Sequence, residues 1–343
     1  MTAPIRYPFD TAPAPGTATE VAPGILWMRV PLPMVLDHVN IYALDGTDGW
    51  TLIDSGIATM RGRAEMQRLL DGPLAGKPVA RVLVTHHHPD HVGLAGWFQT
   101  DHGADLIATR TAWLFARMLR LDDQDRPTPE TRAFWRGAGM DPDVLAARAD
   151  SRPFNFADCV APMPLGFRRI TDGQAIALGD HRFTVRLGHG HAPDHATLWS
   201  DDGALVIGGD QFLPTISSNI GVYATEPAAD PLGDWLDSIA RFAPLARDDL
   251  LVLPGHTRPF TGLPRRLAEL AAEHAASLDR LRAHLAKPQV ACGCFVPIFG
   301  REITGSAYGH ALVEAVAHLN HLLARGEVRR WRCDDGAWLW QSI

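Results

Sequence analysis

The sequence is short of the features that mark several protein classes. Its 343 residues contain only four cysteines, and none has the Cys-x-x-Cys spacing of a zinc knuckle or redox motif, which favours reduced structural thiols. No apolar run approaches the roughly 18 residues that cross a bilayer. The first twenty residues also lack the apolar core of a signal peptide and are rich in Pro, Ala and Thr. We therefore expect residues 1–23 to form an extended arm, and the protein to be cytoplasmic with no membrane partner.

An excess of positive charge is also missing. The chain has 32 Lys and Arg against 39 Asp and Glu, a formal net charge of −7, so no general field attracts nucleic-acid phosphates. The composition, 46% hydrophobic and 21% charged, is typical of a globular protein, and the length fits one large domain or two smaller ones. Histidine is abundant by contrast, with 16 residues and several packed into two short stretches. Function is expected there.

Two strand-rich halves, each with helices, predict the fold class. In the first half, ILWMRV, VNIYAL and WTLID alternate apolar and polar residues, which predicts antiparallel strands with one buried face, and ARVLVT and LIAT follow. In the second half, the strand signals are QAIAL, HRFTVRL, ATLWS, ALVIGGD and DLLVLPGH. Helical patterns cover about 60–70 and 232–242. We therefore expect an α/β domain over residues 24–263, with two sheets packed face to face and helices outside.

Two further segments have a different character. Residues 121–167 are rich in Pro, Asp and Arg with short helical pieces, which predicts a helical insertion. Its aromatic residues, with Trp113 before it, either line a pocket or cover a small core. Beyond Pro264, leucines recur at helical spacing, a second helix is indicated over 308–325, and two short strands flank an Asp-Asp-Gly turn. This order predicts a winged-helix-like domain over residues 264–343.

The densest group of metal-binding residues lies in the segment THHHPDHVG, directly after a predicted strand. His86, His88, Asp90 and His91 place three imidazoles and a carboxylate on one tight turn. These groups are the nitrogen and oxygen donors that zinc prefers, and burying them together without a partner would be expensive. The segment therefore predicts a metal centre. His87 should point away from its neighbours, toward solvent or a supporting contact, because side chains alternate in extended backbone.

Three more segments add candidate ligands at strand ends. GHGHAPDH carries His189, His191 and His195, VIGGDQF carries Asp210, and VLPGH carries His256. Alone, each would be weak, because a single Asp or His after a strand is more often a turn residue. Together with the first segment, they indicate one shared edge of the two sheets.

On these motifs the chain resembles the metallo-β-lactamase superfamily over about residues 24–260. The family's His-x-His-x-Asp-His motif is matched by His86, His88, Asp90 and His91. The resemblance implies an αββα sandwich and two divalent cations. Zinc is the expected metal, and iron and manganese suit the same donors. By the same resemblance, one ion would be held by His86, His88 and His191, and the second by Asp90, His91 and His256. Asp210 would bind both ions. Asp54 in LIDSG would orient a ligand imidazole.

The implied chemistry is hydrolysis. Two cations would lower the pKa of a shared water, the resulting bridging hydroxide would attack the substrate, and the leaving group would take a proton from water or from Asp90, the candidate catalytic residue. Asp210, where true β-lactamases have cysteine, resembles the glyoxalase II, lactonase and nuclease branches. We therefore expect a small-molecule hydrolase acting on a thioester or a lactone. His38 and His195 are candidate substrate contacts, with a surface role for His38 and plain hydrogen bonding for His195 as the alternatives.

The alternative function is a nuclease or phosphodiesterase acting on single-stranded RNA. The carboxyl-terminal helices and wing resemble a module found on metallo-β-lactamase proteins that include an endoribonuclease, and winged helices usually bind nucleic acid. Residues 264–343 contain ten Lys and Arg against eight Asp and Glu, a weak excess of two. Charge therefore disfavours a nucleic-acid partner. A binding protein without activity is disfavoured by the complete ligand set, and the sequence does not indicate an oligomeric state.

Overall fold

The computed structural model describes residues 3–343, and all statements below concern these residues. The strands are β1 (Thr19–Ala22), β2 (Ile25–Pro31), β3 (His38–Leu44), β4 (Trp50–Ile53), β5 (Val79–Leu83), β6 (Asp105–Ala108), β7 (Arg168–Arg169), β8 (Ala175–Leu178), β9 (His181–Gly188), β10 (His195–Ser200), β11 (Leu205–Gly209), β12 (Leu251–Pro254), β13 (Val328–Arg332) and β14 (Trp338–Ser342). The helices are α1 (Met60–Asp71), α2 (Pro89–Val92), α3 (Ala95–Asp101), α4 (Arg110–Leu121), α5 (Pro129–Gly137), α6 (Pro142–Ala149), α7 (Pro231–Phe242), α8 (Leu263–His284), α9 (Phe295–Phe299) and α10 (Tyr308–Ala324).

The strands form two large sheets and a separate hairpin. The first sheet contains β1 to β7 in chain order, antiparallel from β1 to β4 and parallel from β4 to β7. The second sheet has the order β12-β11-β10-β9-β8, and in it β11 and β12 are parallel. Parallel neighbours need a crossover, and α1 and α3 supply it in the first sheet. The antiparallel pairing of β2, β3 and β4 is confirmed, but the prediction of one buried face is wrong, because β3 is buried on both faces.

Apolar side chains fill three layers, which define the sandwich. Trp27 of the first sheet and Phe183 of the second lie in one buried cluster between the sheets. On its other face, the first sheet shares a cluster with α1, α3 and α4, which includes Met28. The second sheet does the same with α7 and α8, through Val206 and Val252. The predicted αββα layering is therefore confirmed.

The amino-terminal segment packs against the two-sheet domain and does not extend away from it as an arm. Thr19–Ala22 forms strand β1 and pairs with β2, which corrects the prediction for the end of the segment 1–23. Earlier, Arg6 and Thr261 exchange backbone hydrogen bonds, and the Arg258 guanidinium lies 4.4 Å from the centre of the Tyr7 ring. Residues 1 and 2 of the predicted arm lie outside the described residues. The rest of the segment thus adds an edge to the first sheet.

The predicted insertion over 121–167 contains α5, α6 and a short 3₁₀ turn. Apart from Phe154, which is exposed, its aromatic residues pack in two places rather than around one pocket. Trp113 stacks on Phe167 at 4.8 Å next to the core of the first sheet, whereas Phe134 and Trp135 join the core of the second sheet. The sequence left open whether these aromatic residues line a pocket or cover a small core, and the structure favours the second alternative.

The carboxyl-terminal region consists of α8, α9, α10 and the β13–β14 hairpin. The predicted helices and hairpin are confirmed. Leu267, Leu319 and Trp340 of this region lie in the same buried cluster as Trp235 of α7. The region therefore continues the core of the second sheet, and the domain boundary at 263/264 stays a prediction. Over residues 3–343, none of the helices combines the length and apolarity needed to cross a membrane.

Two histidines of the carboxyl-terminal helices are buried as a pair. His274 of α8 and His318 of α10 are 5% and 1% exposed, and Nδ1 of His274 lies 3.4 Å from Nε2 of His318. Burial, with a smaller contribution from neighbouring histidines, lowers the pKa of His274 to about 3 and that of His318 to about 4. Both side chains are therefore neutral in the folded protein at neutral pH.

This burial predicts a loss of stability in acid. In the unfolded chain both histidines are protonated below a pKa of about 6.5, whereas in the folded chain they stay neutral down to about pH 4. The free energy of unfolding of the chelator-treated protein should fall between pH 7 and pH 5, by about 1 kcal/mol or more for each histidine. Denaturant titrations of the wild type and of His274→Leu/His318→Leu measure this, because the double variant should show a shallower pH dependence. Identical pH dependence in both proteins would contradict the assignment.

Candidate metal centre

The candidate ligands converge at one edge of the sandwich because strands of both sheets end there. In the first sheet, β5 leads into the segment His86–His91, where Pro89 begins the short helix α2 and turns Asp90 and His91 inward. In the second sheet, the turn between β9 and β10 carries His191, while β11 and β12, which are parallel, are followed by Asp210 and His256. The candidate ligands thus lie, as predicted, at one edge that both sheets share.

Three imidazoles form the first group. Nε2 of His86 lies 3.0 Å from Nδ1 of His88 and 3.3 Å from Nε2 of His191. The three nitrogens lie within 4.8 Å of one another, a spacing that one cation could share. In these contacts His88 offers Nδ1, whereas the other two offer Nε2. This group combines residues of both sheets.

A carboxylate and two imidazoles form the second group. Oδ2 of Asp90 lies 3.3 Å from Nε2 of His256 and 3.6 Å from Nε2 of His91. These three atoms also lie within 4.8 Å of one another. The second group therefore offers a second set of donors close to the first.

Asp210 lies between the two groups. Its Oδ2 is 3.4 Å from Nε2 of His191 in the first group and 3.4 Å from Nε2 of His256 in the second. Its Oδ1 is 3.4 Å from Nε2 of His91. One carboxylate thus reaches ligands of both groups, which is the geometry required of a bridging residue.

The donor atoms fit a divalent cation. Nε2 of His91 and Oδ1 of Asp210 are buried and lack a hydrogen-bond partner within residues 3–343, although they lie 3.4 Å apart. Buried polar atoms are almost always paired, so this orphan pair is consistent with a cation as the partner. The neighbouring Gly255 cannot be larger, since a Cβ there would lie 2.2 Å from Oδ1 of Asp210. Nitrogen and carboxylate donors in this number suit zinc and related metals.

The outer nitrogens of three candidate ligand imidazoles have partners within the protein. Nδ1 of His256 donates to the carbonyl of His38 at 2.7 Å, and Nδ1 of His191 donates to the carbonyl of Asn219 at 2.8 Å. Nδ1 of His91 lies 2.7 Å from Oδ2 of Asp54. Because carbonyls and carboxylates accept, each ring carries its proton on Nδ1 and turns Nε2 toward the centre.

Asp54 is fixed in turn by its backbone and by the chain after β5. Its φ of 64° lies in the left-handed region, and its Oδ1 accepts from the backbone N–H of Thr85 at 2.7 Å. The Thr85 hydroxyl also contacts Asp54, and lies 3.0 Å from Nδ1 of His86. The structure thus places Asp54 where the sequence predicted an orienting residue, and adds Thr85 as a second one.

The electrostatics of the cluster favour positive charge at its centre. Burial lowers the pKa values of His86 and His88 well below the usual range, and the neighbouring imidazoles add to this. Burial opposes charge on His256 as well, but the Asp210 and Asp90 carboxylates outweigh it and raise the pKa to about 10. The same balance raises the pKa of His91. The cluster therefore favours positive charge where the carboxylates converge.

The structure corrects the role predicted for His195. Its imidazole is fully buried and stacks on His86 with ring centres 4.6 Å apart, and its Nε2 accepts from the backbone N–H of Asp210 at 3.1 Å. A side chain without exposed surface does not contact a substrate. His195 instead supports two ligand residues from behind, which agrees with the alternative of plain hydrogen bonding.

Two other histidines also have protein partners. Nε2 of His38 accepts from the backbone N–H of Thr257 at 3.0 Å, so substrate contact by His38 stays a prediction. His87 belongs to neither group of candidate ligands, and it does not face solvent. Its ring lies 5.1 Å from Phe115 and 6.4 Å from Phe156, and burial lowers its pKa to about 3.

Sequence reasoning missed the residues that act through their backbone. The carbonyls of His38 and Asn219 hold ligand imidazoles, yet any residue type could supply them. Thr257 has a φ of 68°, which is unusual for a β-branched residue and indicates strain directly after His256. No sequence signal marks these positions. Thr85, directly before the first ligand, was the one recognisable candidate.

Comparisons with known proteins agree with this geometry. A family model described as "Metallo-beta-lactamase superfamily" matches residues 34–256, and one described as "Metallo-beta-lactamase-like, C-terminal domain" matches residues 278–343. A solved beta-lactamase domain protein from Burkholderia ambifaria is 37% identical, with a TM-score of 0.89 over 99% of this chain and 97% of that one. A metallo-beta-lactamase family protein from Thermus thermophilus is 28% identical, with a TM-score of 0.78 over 94% of this chain and 100% of that one. The "Probable metallo-hydrolase YqjP" of Bacillus subtilis (strain 168) is 28% identical over 70% of this chain and 73% of its own length.

The contact between Asp54 and His91 predicts a contribution to metal affinity. Removing the carboxylate in Asp54→Ala frees the His91 ring, and loss of such orienting contacts weakens metal binding by about 10- to 100-fold. Equilibrium dialysis against Zn²⁺, followed by metal analysis, measures the change. Asp48→Ala is the matched control, because Asp48 pairs with Arg81 away from the cluster and should leave the affinity unaltered. Equal affinity of the Asp54 variant and the wild type would show that the contact does not orient a ligand.

Proposed function

The chain belongs to the metallo-beta-lactamase superfamily and is a metal-dependent hydrolase, and from this premise we propose that it uses two divalent cations to hydrolyse an ester-type small molecule. Zinc is the proposed metal, and a thioester or a lactone is the proposed substrate class. The branch of the superfamily that we propose is the one similar to glyoxalase II. We also propose a cytoplasmic location.

The position of Asp210 is the single observation that carries this proposal. Both of its oxygens lie 3.4 Å from ligand nitrogens, and these nitrogens belong to two different groups. We assign one cation to the group of His86, His88 and His191, the second to the group of Asp90, His91 and His256, and the bridging role to Asp210. Two groups joined by one carboxylate are typical of dinuclear hydrolases.

Divalent cations in these positions would supply Lewis acidity for the substrate carbonyl and would make a water molecule acidic. The side chains of this chain hold and align the reacting groups. Asp90 is the candidate proton carrier, since its side chain is 18% exposed, against 8% for Asp210 and 2% for His256. Burial raises its pKa, but His91 and His256 outweigh this and lower it below the usual value. Asp90 is therefore ionised at neutral pH, and must accept a proton from the attacking water before it donates one to the leaving group.

The turn that carries His191 reads Gly-His-Ala-Pro-Asp-His, and thus departs at Ala192 and Asp194 from the Gly-His-Thr-Pro-Gly-His pattern common in the family. Asp194 has a φ of 51°, a conformation that favours glycine, and its carboxylate accepts a hydrogen bond from the hydroxyl of Thr111 on α4. The contact ties this turn to the helix beside the site. His191 itself stays in the first group. The departures at Ala192, which is buried, and at Asp194, which contacts α4, thus leave the candidate ligand His191 in place.

Charge supports a small substrate over nucleic acid. The net charge of −7 provides no general attraction for phosphates outside the metal centre. A nucleic-acid strand depends on such attraction along its length, whereas a small ester needs to meet only the metal centre itself. The small-molecule reaction is therefore the preferred proposal.

An RNA nuclease is the second candidate because of the β13–β14 hairpin, in a region that we propose to be winged-helix-like. Arg329 lies 5.3 Å from the ring of Trp331, an exposed pair that could stack and neutralise a single strand. Arg330 and Arg332 lie 5.1 Å and 5.4 Å from the ring of Trp338. The contacts of Arg330 and Arg332 with Trp338 join the two strands of the hairpin. Only the pair of Arg329 and Trp331, among these arginine–tryptophan pairs, is then left to bind a ligand. The hairpin thus supports RNA binding only weakly.

A panel of substrates distinguishes the two candidates. The Zn²⁺-loaded protein should turn over a model thioester or lactone, and should leave single-stranded RNA intact at 50 mM and 200 mM salt. Asp90→Asn should reduce turnover by about 10²- to 10⁴-fold, because the proton carrier is lost, while Asp48→Asn should behave as the wild type. Turnover is followed by absorbance for the esters and by gel for the RNA. Cleavage of RNA that weakens steeply with salt, without turnover of either ester, would replace the proposal with the nuclease.

A further inference from the structure

The irregular segment 211–230, which joins Asp210 to α7, is held mainly by the carboxyl-terminal helices. We call it the connecting loop. Arg266 of α8 donates to the carbonyls of Leu213 and Ile216 at 2.7 and 3.0 Å. The side-chain amide of Asn320 of α10 donates to two further carbonyls, those of Pro227 and Ala229, at 3.1 and 2.9 Å. Both ends of the connecting loop are thus fixed by residues outside the two large sheets.

Asn219, in the middle of the connecting loop, joins the metal centre to α10. Its backbone carbonyl accepts from Nδ1 of His191 at 2.8 Å. Its side-chain amide donates to Oε2 of Glu314 at 2.8 Å and lies at 3.5 Å from the carbonyl of His310. The next turn of the loop is anchored as well, since Val222 N–H donates to the carbonyl of Val313 at 3.1 Å. Glu314 is therefore two hydrogen bonds away from a candidate ligand.

We propose that Glu314 is a positioning residue for the metal centre: through Asn219 it holds the carbonyl that fixes the ring of His191. This inference rests on the proposed function, because it takes His191 as a metal ligand. Two candidate ligand imidazoles donate from Nδ1 to a backbone carbonyl, and His191 is the one whose carbonyl lies outside a strand or helix, since His38 begins β3. A carbonyl on an irregular loop needs a support of its own, and the Glu314 carboxyl supplies it.

The environment of Glu314 explains why the contact is specific. The side chain extends from α10 toward the connecting loop and is partly buried, and a carboxyl group out of water is costly unless it is hydrogen-bonded. Asn219 provides the hydrogen bond. Burial raises the pKa of Glu314 to about 7, yet an oxygen of either protonation state can accept from the amide. The positioning role therefore requires an acceptor oxygen and not a negative charge.

This distinction gives a matched set of variants. Glu314→Ala removes the acceptor, Asn219→Ala removes the amide while keeping the backbone carbonyl, and Glu314→Gln keeps an acceptor without charge. Glu327→Ala is the control in the same region, because Glu327 contacts Arg282 and Arg325 and not the connecting loop. Zn²⁺ affinity is measured by competition with a chromophoric chelator. The Co²⁺ absorption spectrum reports the ligand geometry, and the thermal midpoint of each chelator-treated variant reports its folding.

Glu314→Ala and Asn219→Ala should each weaken Zn²⁺ binding by about tenfold and alter the Co²⁺ spectrum, as the loss of an outer contact of a metal ligand does. The double variant should be no weaker than either single one, because both remove the same contact. Glu314→Gln should stay within about twofold of the wild type, and Glu327→Ala should match it. Wild-type affinity in both Ala variants, or a Gln variant as weak as the Ala variant, would overturn the inference.

His191→Ala separates this inference from the proposed function on which it rests. If His191 is a ligand, this variant loses affinity at least as strongly as Glu314→Ala. Unchanged affinity in His191→Ala would refute the ligand assignment itself. Weak binding by His191→Ala, together with wild-type binding by the Asn219 and Glu314 variants, would refute the positioning role alone.

Discussion

The contacts of the Asp210 carboxylate hold the functional edge of this protein together. The first sheet supplies His86, His88, Asp90 and His91, and the second supplies His191, Asp210 and His256. Five imidazoles lie together here, three of them buried, and burial first and the neighbouring imidazoles second lower the pKa values of His86 and His88. Asp210 reaches both groups at 3.4 Å and reverses this balance at His91 and His256. The charge balance of this edge, to which both sheets contribute, therefore depends on one side chain.

The remaining structure fixes the orientation of the ligand side chains. Asp54 and two backbone carbonyls hold the Nδ1 sides of three imidazoles, and each comes from a different part of the chain. Asp54 and Thr257 adopt left-handed backbone conformations beside the site, at a cost of about 1–3 kcal/mol each for residues other than glycine. Such strain persists only where the surroundings hold it in place. The hydrogen bond from the Thr257 N–H to His38 and the packed sandwich provide that support.

Much of the fold and of the candidate site followed from the sequence, for identifiable reasons. Strand and helix periods predicted the αββα layers, and the spacing in THHHPDHVG predicted four donors on one turn. The sequence could not predict that His195 would be buried behind His86, because a histidine that flanks a ligand gives the same sequence pattern whether its side chain faces the substrate or the core. It could not predict the role of Asn219, which acts through its carbonyl. Nor did composition show that residues 19–22 form a strand, since their pairing depends on β2.

The central claim is that two cations are bound side by side, with Asp210 between them. Crystals of the Zn²⁺-loaded protein, with diffraction recorded above and below the zinc absorption edge, test it most directly. The account predicts two anomalous peaks about 3.5–4 Å apart, one beside His86, His88 and His191 and one beside Asp90, His91 and His256, with Asp210 in contact with both. A single peak bound by one group, with Asp210 in contact with no metal, would contradict it.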